Sequence, residues 1–133
     1  MCIRDSYWGS PSLDPYAELR SVPPSEVLGG SVLVYQGRFA FPRALAVFHS
    51  ARAAEAAEAG SLEEAVREAR LAVSLSPESP MTHRSLARAL AASDDPAGAL
   101  AELRRALDLC GEKEPAFRRR LRRSLELEIA RLE

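Results

Sequence analysis

The sequence predicts a mostly α-helical protein with two similar helical hairpins and a last, capping helix, preceded by an irregular segment with one short β element. Three observations support this prediction. Residues 44–133 are rich in alanine, and proline and glycine lie there near positions where a helix would begin or end. The same residue types recur in this part with a period of 34 residues. Residues 7–43 instead contain five prolines and four glycines, a density that prevents long helices.

The first six residues differ from the rest in composition. Of the 18 basic residues 17 are arginine, and alanine is abundant, which is typical of a GC-rich bacterial genome. Residues 1–6 resemble a translated sequencing adapter, and we expect them to be an artefact. We therefore expect a longer natural chain, with residues 7–43 as the remnant of a truncated upstream domain.

One strand is predicted before the helices. Residues 31–36 are mainly apolar, include β-branched valines and have glycines on both sides. Because a single strand is not stable alone, it needs a partner. We expect that partner near residues 7–8, near residues 39–41, or in strands upstream.

The first two helices are delimited by their capping residues. The first is predicted over residues 44–59 and ends at Gly60, a residue that readily adopts the left-handed conformation of a helix C-terminus. The second follows Ser61, which forms a capping box with Glu64, and ends near Leu75.

The other three helices follow the same logic. Ser79 and Asp95 each precede a proline, a pair that begins a helix, and these helices end near residue 93 and before Gly111. The fifth helix covers residues 114–133 and has one apolar stripe, formed by Phe117, Leu121, Leu125, Ile129 and Leu132. Such a stripe suits a helix that covers the exposed end of a repeat array.

Residues 46–79 align with residues 80–113 without a gap and share nine identities. The identical pairs are His49/His83, Ala53/Ala87, Ala57/Ala91, Ala65/Ala99, Glu68/Glu102, Arg70/Arg104, Ala72/Ala106, Leu75/Leu109 and Glu78/Glu112. The 34-residue hairpin resembles the tetratricopeptide repeat, which has small residues at repeat positions 8, 20 and 27 that let its helices approach closely. Both hairpins have alanine at all three positions. Both hairpins depart from the family at position 4, which is histidine. The first also departs at position 7, which is Arg52, and the second at position 32, which is Gly111.

The resemblance implies a function as well as a fold. In this family the first helices of the repeats line a concave groove that binds peptides. The corresponding residues here are Val47, Ser50, Ala54, Met81, Arg84 and Arg88. We therefore expect a non-enzymatic interaction scaffold that binds a peptide or protein segment, with Arg84 and Arg88 placed to bind a carboxylate. The lysine and asparagine pattern of the family's carboxylate clamp is absent.

The composition argues against several other functions. The net charge of −1 does not favour nucleic-acid binding, and no run of apolar residues is long enough for a membrane span. No catalytic triad, paired-carboxylate cleft or phosphate-binding loop can be assembled, so we expect no enzyme activity and no cofactor in this chain. Outside residues 1–6 the single cysteine, Cys110, can form neither an internal disulfide nor a metal site alone.

Two features have competing interpretations. The arginine-rich run over residues 118–123 could bind phosphate, but we favour a solvated helix face with Glu114–Arg118 and Arg122–Glu126 pairs. His49 and His83 could form a metal pair, but two ligands are too few for zinc, so we favour packing between helices.

A second, weaker resemblance concerns residues 7–17, Tyr-Trp-Gly-Ser-Pro-Ser-Leu-Asp-Pro-Tyr-Ala. This segment is similar to the soluble C-terminal region of bacterial membrane glycosyltransferases that use lipid-linked sugars, and residues 28–34 fit a strand of that region. It implies an alternative function, the tail of such an enzyme, on the extracytoplasmic side of the inner membrane. The scaffold interpretation is compatible with the bacterial cytoplasm.

Overall fold

The computed structural model describes residues 19, 21–30, 32–37, 41–110 and 116–133, with side chains from residue 119 onward in the last range. Its elements, in chain order, are β1 (Glu26–Leu28), β2 (Val32–Val34), α1 (Pro42–Glu58), α2 (Leu62–Leu75), α3 (Pro80–Ala92), α4 (Pro96–Cys110) and α5 (Ala116–Leu132). The chain is therefore mostly helical, with a short β element before the helices, as the sequence predicts. Residues 1–18, which include the adapter-like segment and the glycosyltransferase-like segment, lie outside the described residues.

The strands β1 and β2 form a two-stranded antiparallel sheet in which Val27 pairs with Leu33. The partner of β2 in the described chain is thus the segment just before it, which was not among the expected partners; residues 7–8 and 39–40 lie outside the described residues. Gly29 and Gly30 make this short connection possible, because both have a positive φ, at 60° and 72°, which glycine adopts without strain. The side chains of Val27 and Leu33 are about half exposed.

The predicted helix boundaries hold to within about two residues. The first helix begins at Pro42 rather than at residue 44. Proline suits the first turn because its φ is helical and because an N–H at this position would have no partner within the helix. Asp95 caps α4 through a bond from the Gly98 N–H to its Oδ1 at 2.9 Å. The predicted capping box at Ser61 is wrong in detail, since the Ser61 side chain makes no capping bond. Glu64 pairs instead with Arg52, at 3.3 Å.

The turns that close α1 and α3 have the same geometry. After α1, the N–H of Ser61 donates to the carbonyl of Ala56 and that of Gly60 donates to Ala57. After α3, the N–H of Asp95 donates to Leu90, and Asp94 has a φ of 65° at the position that corresponds to Gly60. Both turns are Schellman motifs, but only the first has a glycine at the left-handed position.

The helices pack as two hairpins, α1 with α2 and α3 with α4, and α3 also packs on both helices of the first hairpin. Small residues dominate the contacts, and nine alanines of the described chain are at most 3% exposed: Ala46, Ala53, Ala65, Ala69, Ala72, Ala87, Ala89, Ala99 and Ala106. Ala99 and Ala106, at repeat positions 20 and 27 of the second hairpin, are both fully buried. Such side chains let the helix backbones approach closely.

The two ends of the helical stack differ. At the C-terminal end α5 packs on α4, and its Leu121 and Leu125 join the core at 5% and 0% exposure. This is the capping role predicted for the last helix. At the other end, Phe48 of α1 is 54% exposed. The equivalent residue of the second repeat is Thr82, in α3, which packs on the first hairpin, and it is only 3% exposed.

None of the helices in the described ranges has both the length and the apolar composition needed to cross a lipid bilayer.

Candidate functional site

A groove of about 400 Å³ lies between α1 and α3. All six residues that the sequence analysis assigned to a groove line it, namely Val47, Ser50, Ala54, Met81, Arg84 and Arg88. The two helices run side by side because α3 packs directly on α1. Residues at equivalent positions of the two repeats therefore face one space.

The floor of the groove is made of small side chains and its rim includes two larger apolar ones. Ala46 and Ala53 are buried at 1% and 2% exposure, and both lie on the floor. Val47 and Met81 are 59% and 41% exposed. A surface of this kind, with a recessed floor and exposed apolar edges, can receive an apolar side chain of a ligand.

Two serines link the helices across the floor. The Ser85 hydroxyl of α3 lies 3.5 Å from the main-chain carbonyl of Ser50 in α1 and donates to it. The Ser50 hydroxyl itself is buried and has no hydrogen-bond partner within the described part of the chain. It is therefore a polar group on the groove floor whose hydrogen-bonding capacity is unused.

Two of the three arginines that line the groove, Arg84 and Arg88, contact α5. Arg84 donates from Nε to Oε1 of Glu128 at 3.0 Å, pairs with the same oxygen through Nη2, and also reaches the Ser124 hydroxyl at 2.7 Å. Arg88 donates from Nη2 to the same Glu128 oxygen at 2.9 Å. The place expected for a ligand carboxylate next to these arginines thus contains a carboxylate of the chain itself.

The arginines keep Glu128 ionised. Burial raises the pKa of Glu128, but the hydrogen bonds and the positive charges of Arg84 and Arg88 together outweigh that effect, so the pKa lies below its ordinary value. At the opposite end of the groove, Arg43 lies 3.7 Å from Glu78. The three arginines that line the groove thus pair with Glu78 and Glu128, two carboxylates outside the lining.

The two histidines take part in equivalent pairs, one in each hairpin. His49 Nδ1 lies 2.6 Å from Glu68, and His83 Nδ1 lies 2.6 Å from Glu102. His83 also contacts the carbonyl oxygen of Pro77 through Nε2, at 2.8 Å. Both nitrogens of His83 therefore face oxygen atoms, one in α4 and one in the turn before α3, and these two contacts fix the orientation of the ring.

These pairs give the histidines a structural role, which agrees with the packing interpretation. The hydrogen bond from His49 is the main reason why the pKa of Glu68 lies below its ordinary value, and Arg52 and Arg67 lower it further against the opposing effect of burial. Among the residues with described positions, no three histidine, cysteine, aspartate or glutamate side chains are grouped so as to hold a metal ion.

The described side chains of the arginine-rich run, residues 119–123, are not part of the groove lining. Arg119 and Arg120 are exposed, and Arg122 pairs with Glu126 at 3.2 Å, one helical turn away. This is the pair expected for a solvated helix face. The other predicted pair, between Glu114 and Arg118, lies outside the described side chains.

Two sets of partners were not predicted from the sequence. Glu68 and Glu102 are identical in the repeat alignment and lie 19 residues after the two histidines, so the repeat itself contained the signal for these pairs. Ser124 and Glu128 lie in α5, which does not follow the repeat pattern, and no sequence signal linked them to α3.

Comparison of this chain with protein-family models, with curated proteins and with solved structures found no match.

Proposed function

We propose that this chain is a non-enzymatic protein-interaction module of the tetratricopeptide type, which binds a peptide or protein segment in the groove between α1 and α3. The observation that supports this proposal best is that residues chosen from a 34-residue repeat, on two different helices, line the same groove. The resemblance to tetratricopeptide repeats supplies the expected ligand class.

The chemistry of the groove fits a peptide with one apolar side chain. Val47 and Met81 provide exposed apolar contacts above a floor of small residues. Burial of a ligand side chain the size of valine or leucine contributes about 1.5–3 kcal/mol. Two repeats offer only a short groove, so we expect a dissociation constant of about 1 µM or weaker.

A blocked groove tests the proposal. Ala54 is exposed in the groove, so Ala54→Arg should fill the binding space without disturbing the core. Ala101 is an exposed alanine of α4 outside the groove lining, and Ala101→Arg is the matched control. On a random peptide array, followed by titration of the best peptides, we expect Ala54→Arg to lose binding and Ala101→Arg to retain it.

Two results would count against the groove. One is the absence of any peptide that binds the unmodified chain, and the other is equal binding by the Ala54→Arg variant. Thermal unfolding of both variants controls for a change in stability.

The alternative function is the soluble tail of a membrane glycosyltransferase. It depends on residues 7–17, which lie outside the described residues, and on a strand near residues 28–34, where β2 is found. The genomic sequence upstream of Tyr7 tests it. Many apolar spans before Tyr7 would favour the transferase, and further helical repeats would favour the scaffold.

A further inference from the structure

Arg84, Arg88, Ser124 and Glu128, here called the arginine cluster, connect the groove to α5. We infer that Glu128 competes with the ligand for these arginines, and that the ligand is an acidic peptide whose carboxylate takes the place of Glu128 on Arg84 and Arg88. This inference rests on the proposed function and specifies its ligand.

The charge of the arginine cluster is not balanced. Arg84 and Arg88 both donate to a single oxygen of Glu128, so two positive charges meet one negative charge. Two guanidinium groups that share one carboxylate oxygen attract a further carboxylate, which competes with Glu128 for their N–H donors, since guanidinium groups bind carboxylates with charge-assisted hydrogen bonds.

The arginine cluster can be reached from the groove. The Arg88 side chain is 63% exposed, whereas those of Arg84 and Glu128 are 17% and 19% exposed. Both arginines line the groove. A ligand carboxylate therefore meets Arg88 first, and it can bind both arginines fully only by taking N–H donors that Glu128 now uses.

Competition of this kind connects ligand binding to the position of α5. The contacts of Glu128 and Ser124 with Arg84 join α5 to α3. An acidic ligand that takes over Arg84 and Arg88 weakens that junction, and by reciprocity a weaker junction strengthens acidic-ligand binding. The groove then distinguishes acidic ligands from neutral ones according to how easily Glu128 is displaced.

The test uses the full chain and an array of peptide pairs. Each pair contains a peptide with one glutamate or aspartate and the same peptide with the corresponding amide. Glu128→Gln keeps a hydrogen-bond acceptor for Arg84 but removes the competing charge. Glu126→Gln is the matched control, because Glu126 lies on the same helix, is exposed and pairs with Arg122 instead.

We expect Glu128→Gln to raise the affinity for the acidic member of a binding pair about fivefold or more, and to leave the amide member unchanged. Glu126→Gln should change neither member. Replacement of both Arg84 and Arg88 by alanine should abolish the preference for the acidic member. Thermal unfolding shows whether each variant is folded at the temperature of the titration.

The outcomes separate this inference from the proposed function. Suppose that peptides bind and that Ala54→Arg blocks them, but that Glu128→Gln leaves the ratio of acidic to amide affinity unchanged or lowers it. The competition by Glu128 is then refuted, while the proposal that the groove binds peptides is retained. An equal effect of Glu126→Gln would show a general charge effect and would also refute it. If no peptide binds the unmodified chain or the Glu128→Gln variant, both proposals fail.

Discussion

The buried ring of His83 offers a quantitative test of how the second hairpin is held together. Its side chain is 2% exposed, with Nδ1 bound to Glu102 and Nε2 to the carbonyl of Pro77. His83→Ala removes both hydrogen bonds. A bond to a charged group contributes about 1.5–3 kcal/mol and a neutral one about 0.5–1.5 kcal/mol, so we expect the free energy of unfolding to fall by about 2–4 kcal/mol.

His49 is the matched control for this experiment. It occupies the same repeat position and forms the same kind of pair, with Glu68, but its side chain is 23% exposed. His49→Ala should therefore cost clearly less than His83→Ala.

Urea unfolding followed by circular dichroism measures both losses. With a slope of about 2 kcal/mol per molar urea, the midpoint should fall by about 1–2 M for His83→Ala. A loss for His49→Ala equal to or larger than that for His83→Ala would refute the argument, because burial and the second hydrogen bond would then contribute nothing.

Three further predictions concern packing, turns and pH. Ala99 is fully buried, so Ala99→Leu should overpack the core and cost about 1–3 kcal/mol in thermal unfolding, whereas a neutral result would mean that this face is open. Asp94→Gly should stabilise the chain by about 0.5–1 kcal/mol because it relieves a positive φ, while Gly60→Asp should destabilise it. The lowered pKa values of Glu68 and Glu128 favour their ionised forms in the folded chain, so their contribution to stability is complete above the ordinary glutamate pKa of about 4.3 and is lost as the pH falls through their folded-state pKa values. Acid unfolding of Glu128→Gln should accordingly depend less on pH than that of the unmodified chain.

Local signals in the sequence were sufficient to predict where the helices begin and end. Gly60, Pro80 and Asp95 each have one physical role at a helix end, and the structure places helix boundaries beside all three. The detail of Ser61 could not be predicted, because whether its hydroxyl caps the helix depends on competition among nearby polar groups. Pro42 was read as part of the irregular segment, although proline also suits the first turn of a helix.

The groove was predictable for the same reason that the repeat was visible. Residues at equal repeat positions meet at equivalent places once the hairpins stack, which brings Val47 and Met81 to one surface. The ion pair between Arg84 and Glu128 joins residues 44 positions apart on helices without a common repeat pattern. Its prediction needs the angle at which α5 packs, and that angle depends on the tertiary contacts of the whole stack.

The exposed side of α1, on which Phe48 lies, has a consequence for where the protein unfolds locally. Within the described chain the second hairpin is flanked by the first hairpin on one side and by α5 on the other, whereas α1 has no helix on the side where Phe48 lies. In a linear array the free energy of each unit depends on how many neighbours it touches. Amide protons of α1 should therefore exchange with solvent through local fraying, while those of α3 and α4 should exchange only when the entire stack unfolds.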